Sequence, residues 1–148
     1  MDFGILVGLA YQSFVEELHA EFARRGFPTT GASVGFMLRT LDRGAFTTTQ
    51  LGEQLGITTQ GAAKVIDEMV AVGYVERRPD PTDKRAKTLH LAERGQEALA
   101  TARRFHHEYE HRLTEQFGAE KVAILREILN HMINSPESTD YAKLFRPL

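Results

Sequence analysis

Phe3, Leu6, Ala10, Phe14, Leu18 and Phe22 recur at the three- and four-residue spacing of one helix face. The stretch closes on Arg24-Arg25-Gly26, cations followed by a glycine, which marks a helix C-terminus. The turn-rich connector Phe27-Pro28-Thr29-Thr30-Gly31 separates this first helix from a shorter one carried by Val34, Met37, Leu38 and Leu41, which ends near Asp42-Arg43-Gly44. An apolar face that wide is expected to be buried.

The middle third replaces long periodicity with short segments, each closed by glycine or a turn. Thr47-Thr48-Thr49-Gln50 has the form of a capping box, in which hydroxyl and amide side chains satisfy each other's orphan backbone donors. A third helix is predicted from there to about Leu55, then a tight turn at Gly56-Ile57-Thr58 with Thr58 as the N-cap of a fourth. Ala62, Val65, Ile66 and Met69 form the fourth helix's buried stripe, and Gly73 ends it. Tyr74 to Arg78 reads as a strand, Pro79 to Asp83 as a turn, and Thr88 to Leu91 as a returning strand with Leu89 and Leu91 on one face.

Helical periodicity then resumes through Ala98, Ala102, Phe105, Tyr109 and Leu113 and, after Phe117-Gly118, through Val122, Leu125, Ile128, Leu129 and Met132. A short tail after Ser135-Pro136 carries Tyr141, Leu144 and Phe145. The pattern predicts a mainly α fold with a small β-hairpin: a helix-turn-helix with a hairpin wing, held between long amphipathic helices.

That arrangement suits duplex DNA, because the second helix of the pair can lie in the major groove while the first crosses the backbone. With Ala62, Val65, Ile66 and Met69 turned inward, the opposite face presents Thr59, Gln60, Ala63 and Lys64. Gln60 has the paired donor and acceptor that read adenine, Thr59 suits a base edge or a thymine methyl, and Lys64 suits guanine or phosphate. The small residues Gly61 and Ala63 would allow close approach, and the backbone N–H groups at Thr58 and Thr59 offer a phosphate site. Lys84, Arg85 and Lys87 cluster at the hairpin tip, where a narrow minor groove attracts an inserted cation, and Asp83 is placed to orient Arg85.

From about Phe46 to Gly95 the sequence resembles the MarR family of winged-helix regulators. The matching motifs are Leu55-Gly56-Ile57, the polar run Thr58 to Lys64, Gly73-Tyr74-Val75-Glu76-Arg77 and Asp83-Lys84-Arg85. The flanking helices agree in order and length. The resemblance implies one domain over 1–148, in which 1–26 and 96–148 are dimerisation helices and 30–95 is the winged helix-turn-helix lobe. It implies a homodimer on a pseudo-palindromic double-stranded DNA site, acting as a repressor released by a small, often phenolic or amphipathic, ligand bound between dimer helices and lobe. The DNA-facing set expected is Thr47, Thr58, Thr59, Gln60, Ala63, Lys64, Arg77, Asp83, Lys84, Arg85 and Lys87. Three departures stand out. Ala92 occupies a usual threonine cap and Gly52 a usual alanine, each an expected loss of ~1 kcal/mol, and Gly61 stands where a polar side chain is common.

Composition narrows the rest. The net charge of −2 opposes non-specific nucleic-acid binding on average, so the argument rests on where the basic residues cluster. Without cysteine there is no disulfide, thiolate zinc site or thiol switch. No basic leader precedes the first apolar residues and no apolar run approaches the ~20 residues of a membrane span, so a cytoplasmic protein is expected. Ser13, Ser33, Ser135 and Ser138 lie in no nucleophile motif, no phosphate-binding glycine loop is present, and no enzyme or cofactor is expected.

Two other readings bear on function. His107 and His111 stand four apart on one helix face, with His106 beside them and His19 or His131 as a possible third ligand, which would make a metal-responsive regulator. The plainer reading is polar edges of a long helix, and no metal residue is assigned. A winged helix can also serve as a protein-interaction module, since fold does not fix function, but the basic wing disfavours it. Tyr11, Phe14 and Phe36 could line an effector pocket or belong to the core.

Overall fold

The computed structural model describes residues 1–28 and 34–133. The tail residues Tyr141, Leu144 and Phe145, and Thr29 to Gly31 of the first connector, lie outside the described residues.

The elements run α1 (Phe3–Arg24), α2 (Val34–Asp42), α3 (Thr48–Leu55), α4 (Thr59–Ala71), β1 (Val75–Pro79), β2 (Lys87–Leu91), α5 (Glu93–Phe117) and α6 (Ala119–Met132). Local chemistry explains most of their ends. The Thr47 hydroxyl accepts the Gln50 amide at 3.2 Å while Gln50 Oε1 accepts the Thr47 amide at 2.9 Å, completing the capping box of α3. α1, α3 and α4 each end with a glycine of positive φ: Gly26 at 73°, Gly56 at 64° and Gly73 at 82°. At the end of α4, Gly73 N–H donates to the Val70 carbonyl and Tyr74 N–H to the Met69 carbonyl, the paired bonds of a Schellman motif. Tyr74 is spent on that cap, so the strand begins at Val75 and not at Tyr74.

β1 and β2 pair antiparallel, from Val75 opposite Leu91 to Pro79 opposite Lys87. Phe46 adds a short third edge, its carbonyl accepting the Leu89 amide at 2.7 Å. Pro79 sits at the last pair before the tip, and Asp80 N–H donates to the Ala86 carbonyl at 3.0 Å to close the hairpin.

Met37, Leu38 and Leu41 of α2, Leu51 and Leu55 of α3, and Ala62, Ile66 and Met69 of α4 pack with Tyr74, Val75, Leu89 and Leu91 into one core. Val65, expected within the α4 stripe, packs at its edge and is half-buried. Gly52 is buried, and a Cβ there would stand 3.2 Å from the Ile57 carbonyl and 3.5 Å from the Ala62 methyl. The glycine therefore lets α3 press against the turn and α4, which offsets its expected propensity cost.

Ala98 and Leu99 of α5 belong to this same core, so the first turns of that helix are built into the lobe. Ala92 makes no side-chain cap, as its methyl requires. Further along, α5 meets α1: the Phe14 ring lies 5.5 Å from Phe105 and 4.9 Å edge-on from Tyr109, centroid to centroid. Gly118, at φ 90°, turns the chain from α5 into α6. In the isolated chain α1 has no buried residue and α6 has one, Val122. Both helices leave large apolar side chains in the open: Phe3 is 65% exposed and Ile128 50%.

Candidate nucleic-acid interface

The N-terminus of α4 is shaped by Thr58, whose hydroxyl accepts the Gly61 amide at 3.0 Å. That oxygen is therefore engaged in the cap, and the free surface of the first turn is left to Thr59 and Gln60, both exposed. A Cβ on Gly61 would stand 3.1 Å from the Thr58 hydroxyl, so glycine here gives the cap its room. With Ala62, Ile66 and Met69 buried, Lys64 points to solvent and Ala63 is half-covered beside it.

The wing tip is a loop bonded to itself. Asp80 accepts the Thr82 amide at 2.8 Å and the Thr82 hydroxyl at 2.7 Å, and these bonds hold its carboxyl below the usual aspartate range. Asp83 accepts the backbone amide of Arg85 at 2.9 Å. The orienting contact thus fixes the Arg85 main chain and leaves the guanidinium to solvent. Among the described residues, Lys64, Lys84, Arg85 and Lys87 take part in no ion pair.

Arg77 differs from these. Its guanidinium pairs with Asp67 on α4, tying the wing strand to the flank of the helix. Thr47 stands at the head of α3 with its hydroxyl committed to the capping box. Among the expected residues, then, Thr59, Gln60, Lys64, Lys84, Arg85 and Lys87 have free polar ends. Thr47, Thr58, Arg77 and Asp83 are engaged in shaping the elements that carry them.

On another side of the lobe lies a cavity of about 350 Å³ between α1, α2 and α5. Tyr11, Phe14 and Phe36 all line it, together with Arg39, Tyr74 and His106. The Tyr74 hydroxyl donates to the Pro28 carbonyl at 2.8 Å. Burial raises the Tyr74 pKa, offset in part by the Arg94 charge. His106 lies against the Phe14 ring at 5.2 Å; burial first, and then the Arg39 charge, lower its pKa. Nothing local in the sequence marks Arg39 and His106 as pocket residues: Arg39 sits inside an apolar stretch, and His106 stands in a run with His107 and, one turn on, His111. Among the described residues no three His, Asp or Glu side chains converge to hold a metal ion.

Residues 31–86 match the MarR family model. Over this lobe the chain is similar to the MarR family. A relative from Bacillus subtilis (strain 168), the uncharacterized HTH-type transcriptional regulator YkoM, is 32% identical over 90 residues, which is 61% of this chain and 57% of that protein. The match thus spans little more than half of that relative's length.

Two solved structures extend the likeness to the flanking helices. The reduced form of MarR from E. coli superposes with a TM-score of 0.67 at 21% identity, over 90% of this chain and 97% of that one. The transcriptional repressor CouR, bound to a 23-mer DNA duplex, gives a TM-score of 0.66 at 25% identity, over 88% and 92%. The MarR fold therefore runs through α1, α5 and α6 as well as the lobe, and the mainly helical architecture with a two-stranded wing is that of these winged-helix proteins.

Proposed function

We propose that this chain is a sequence-specific double-stranded DNA-binding transcription regulator that works as a homodimer. The observation that carries the reading is the joint exposure of Thr59, Gln60 and Lys64 on a capped helix and of unpaired Lys84, Arg85 and Lys87 on the wing. The likeness to CouR, itself a DNA-bound repressor, supports it. Two copies of α4 enter successive major grooves, with half-site centres ~34–36 Å apart, while the Arg85 wings grip the flanking minor grooves. Ala63 allows the helix to approach, and Thr47 and Thr58 present helix N-termini to phosphates.

The exposed apolar faces of α1 and α6 supply the dimer seam. The regulator acts as a repressor in the cytoplasm, where its DNA is. A small amphipathic effector in the α1–α2–α5 cavity releases it by favouring a dimer whose lobes stand at another spacing, in proportion to its differential affinity for the two states.

Electrophoretic mobility shift across a salt series, using the DNA upstream of the protein's own coding region, tests the reading. Affinity is expected to fall with a log–log slope of about −0.9 per phosphate contact. Salt-independent binding, or none at low ionic strength, would overturn it.

A further inference from the structure

α1 and α4 end in the same way. At the end of α1, Gly26 N–H donates to the Ala23 carbonyl at 3.1 Å and Phe27 N–H to the Phe22 carbonyl at 2.9 Å. These are the paired bonds of a Schellman motif, and the Phe27 ring folds back edge-on to Phe22 at 6.0 Å. The end of α4 repeats the motif with Gly73 and Tyr74. Each helix is thus closed by an aromatic residue whose main chain is bonded into its last turn. The two aromatics then meet: the Phe27 and Tyr74 rings lie 6.4 Å apart, tilted by 57°.

Two polar contacts lock this junction. The hydroxyl of the buried Tyr74 donates to the Pro28 carbonyl at 2.8 Å. Arg94, in the first turn of α5, donates from Nη2 to the Gly26 carbonyl at 2.9 Å, and its guanidinium stands 5.8 Å from the centre of the Phe27 ring.

We infer, on the reading of the chain as a DNA-binding dimer, that Tyr74 and Arg94 are positioning residues: they brace α4 against the end of α1 and so fix the separation of the two α4 helices. A brace matters because α5 is a long lever. It has 25 residues and is therefore ~37 Å long, with the lobe built on its first turns and the Phe14 contacts of α1 farther along. A bend of about 5° over that length moves the lobe by about 3 Å, close to the ~3.4 Å rise of one base pair. Long helices curve gently as a rule, so α5 alone would let α4 drift by a base-pair step. The Phe27–Tyr74 junction gives the lobe a second attachment, made at the residue that caps α4. Neither Tyr74 nor Arg94 has to touch DNA to do this.

The chain has no cysteine, so Glu68→Cys on the exposed side of α4 takes one nitroxide per subunit. Label-to-label distances in the free protein are measured by pulsed electron paramagnetic resonance. In parallel, the unlabelled protein is bound to the DNA upstream of its own coding region, and to versions with one base pair inserted or deleted at the centre of the protected site. The native background should give one narrow distance and prefer one spacing. Tyr74→Phe removes only the hydroxyl bond and Arg94→Met only the guanidinium. Each should broaden or shift the distance and cut the preference between spacings by up to about fivefold, the worth of one hydrogen bond. Arg94 is exposed, so its variant carries the test if Tyr74→Phe folds poorly. A lowered unfolding midpoint with the distance and the spacing preference unchanged in both variants would overturn the brace and leave the DNA-binding reading intact. A native background that shows no label pair, or binds none of these DNAs, would overturn the dimer reading, and the brace falls with it.

Discussion

The α-carbon of Gly95 lies so close to the carbonyl oxygen of Tyr74 that a Cβ added to it would stand 2.1 Å from that oxygen. The same carbonyl accepts the Ala92 amide at 3.0 Å. The start of α5 is thereby pressed against the root of the wing, next to the wall of the cavity. Gly95→Ala must separate the two, and we expect a loss on the order of 1–3 kcal/mol, read as a lowered midpoint in urea unfolding. An unchanged midpoint would mean that helix and strand are not held this tightly.

The two caps of the helix pair make separate contributions. Thr47→Ala and Thr58→Ala should each destabilise the chain by about 1 kcal/mol, and Thr47→Ser should restore most of the first loss. Thermal unfolding of the variants checks this. Equal stability of Ala and Thr at position 47 would show that the capping box contributes nothing.

The wing and the recognition helix should fail in different ways. Arg85→Ala is expected to weaken all DNA sites by a similar factor and to reduce the salt slope by about one phosphate contact. Gln60→Ala should cost about 1–3 kcal/mol at one base position and relax preference there. Binding measured against a panel of single-base operator variants separates them. Intact affinity in Arg85→Ala would remove the wing from the interface.

Leu125 and Ile128 of α6 are large, apolar and nearly half exposed in the single chain. In a dimer that seam is buried, so Leu125→Glu with Ile128→Glu should give a monomer by light scattering and a loss of DNA binding, with the lobe still folded by circular dichroism. A double variant that remains dimeric would place the seam elsewhere.

The sequence by itself determined the order and nearly all the boundaries of the elements. The signals responsible act over a few residues: the Thr47–Gln50 box, the Thr58 cap, and the glycines at 26, 56 and 73 whose positive φ ends a helix. The exposed polar side of α4 was legible for the same reason, being the complement of the buried Ala62, Ile66 and Met69 stripe.

The tertiary structure alone decided which polar groups remain available. Arg77 reads as one more wing cation until Asp67 of α4 is found beside it, and Asp83 turns out to hold the main chain of Arg85. Gly52 and Gly61, which propensity and family likeness mark as losses, prove to be places where a turn carbonyl and a cap hydroxyl need room. Arg39 and His106 come to share a cavity only because α2 and α5 cross beside α1. Periodicity states which face of a helix turns inward; the neighbour it meets there depends on how separate helices cross, and that information is not local to any stretch of chain.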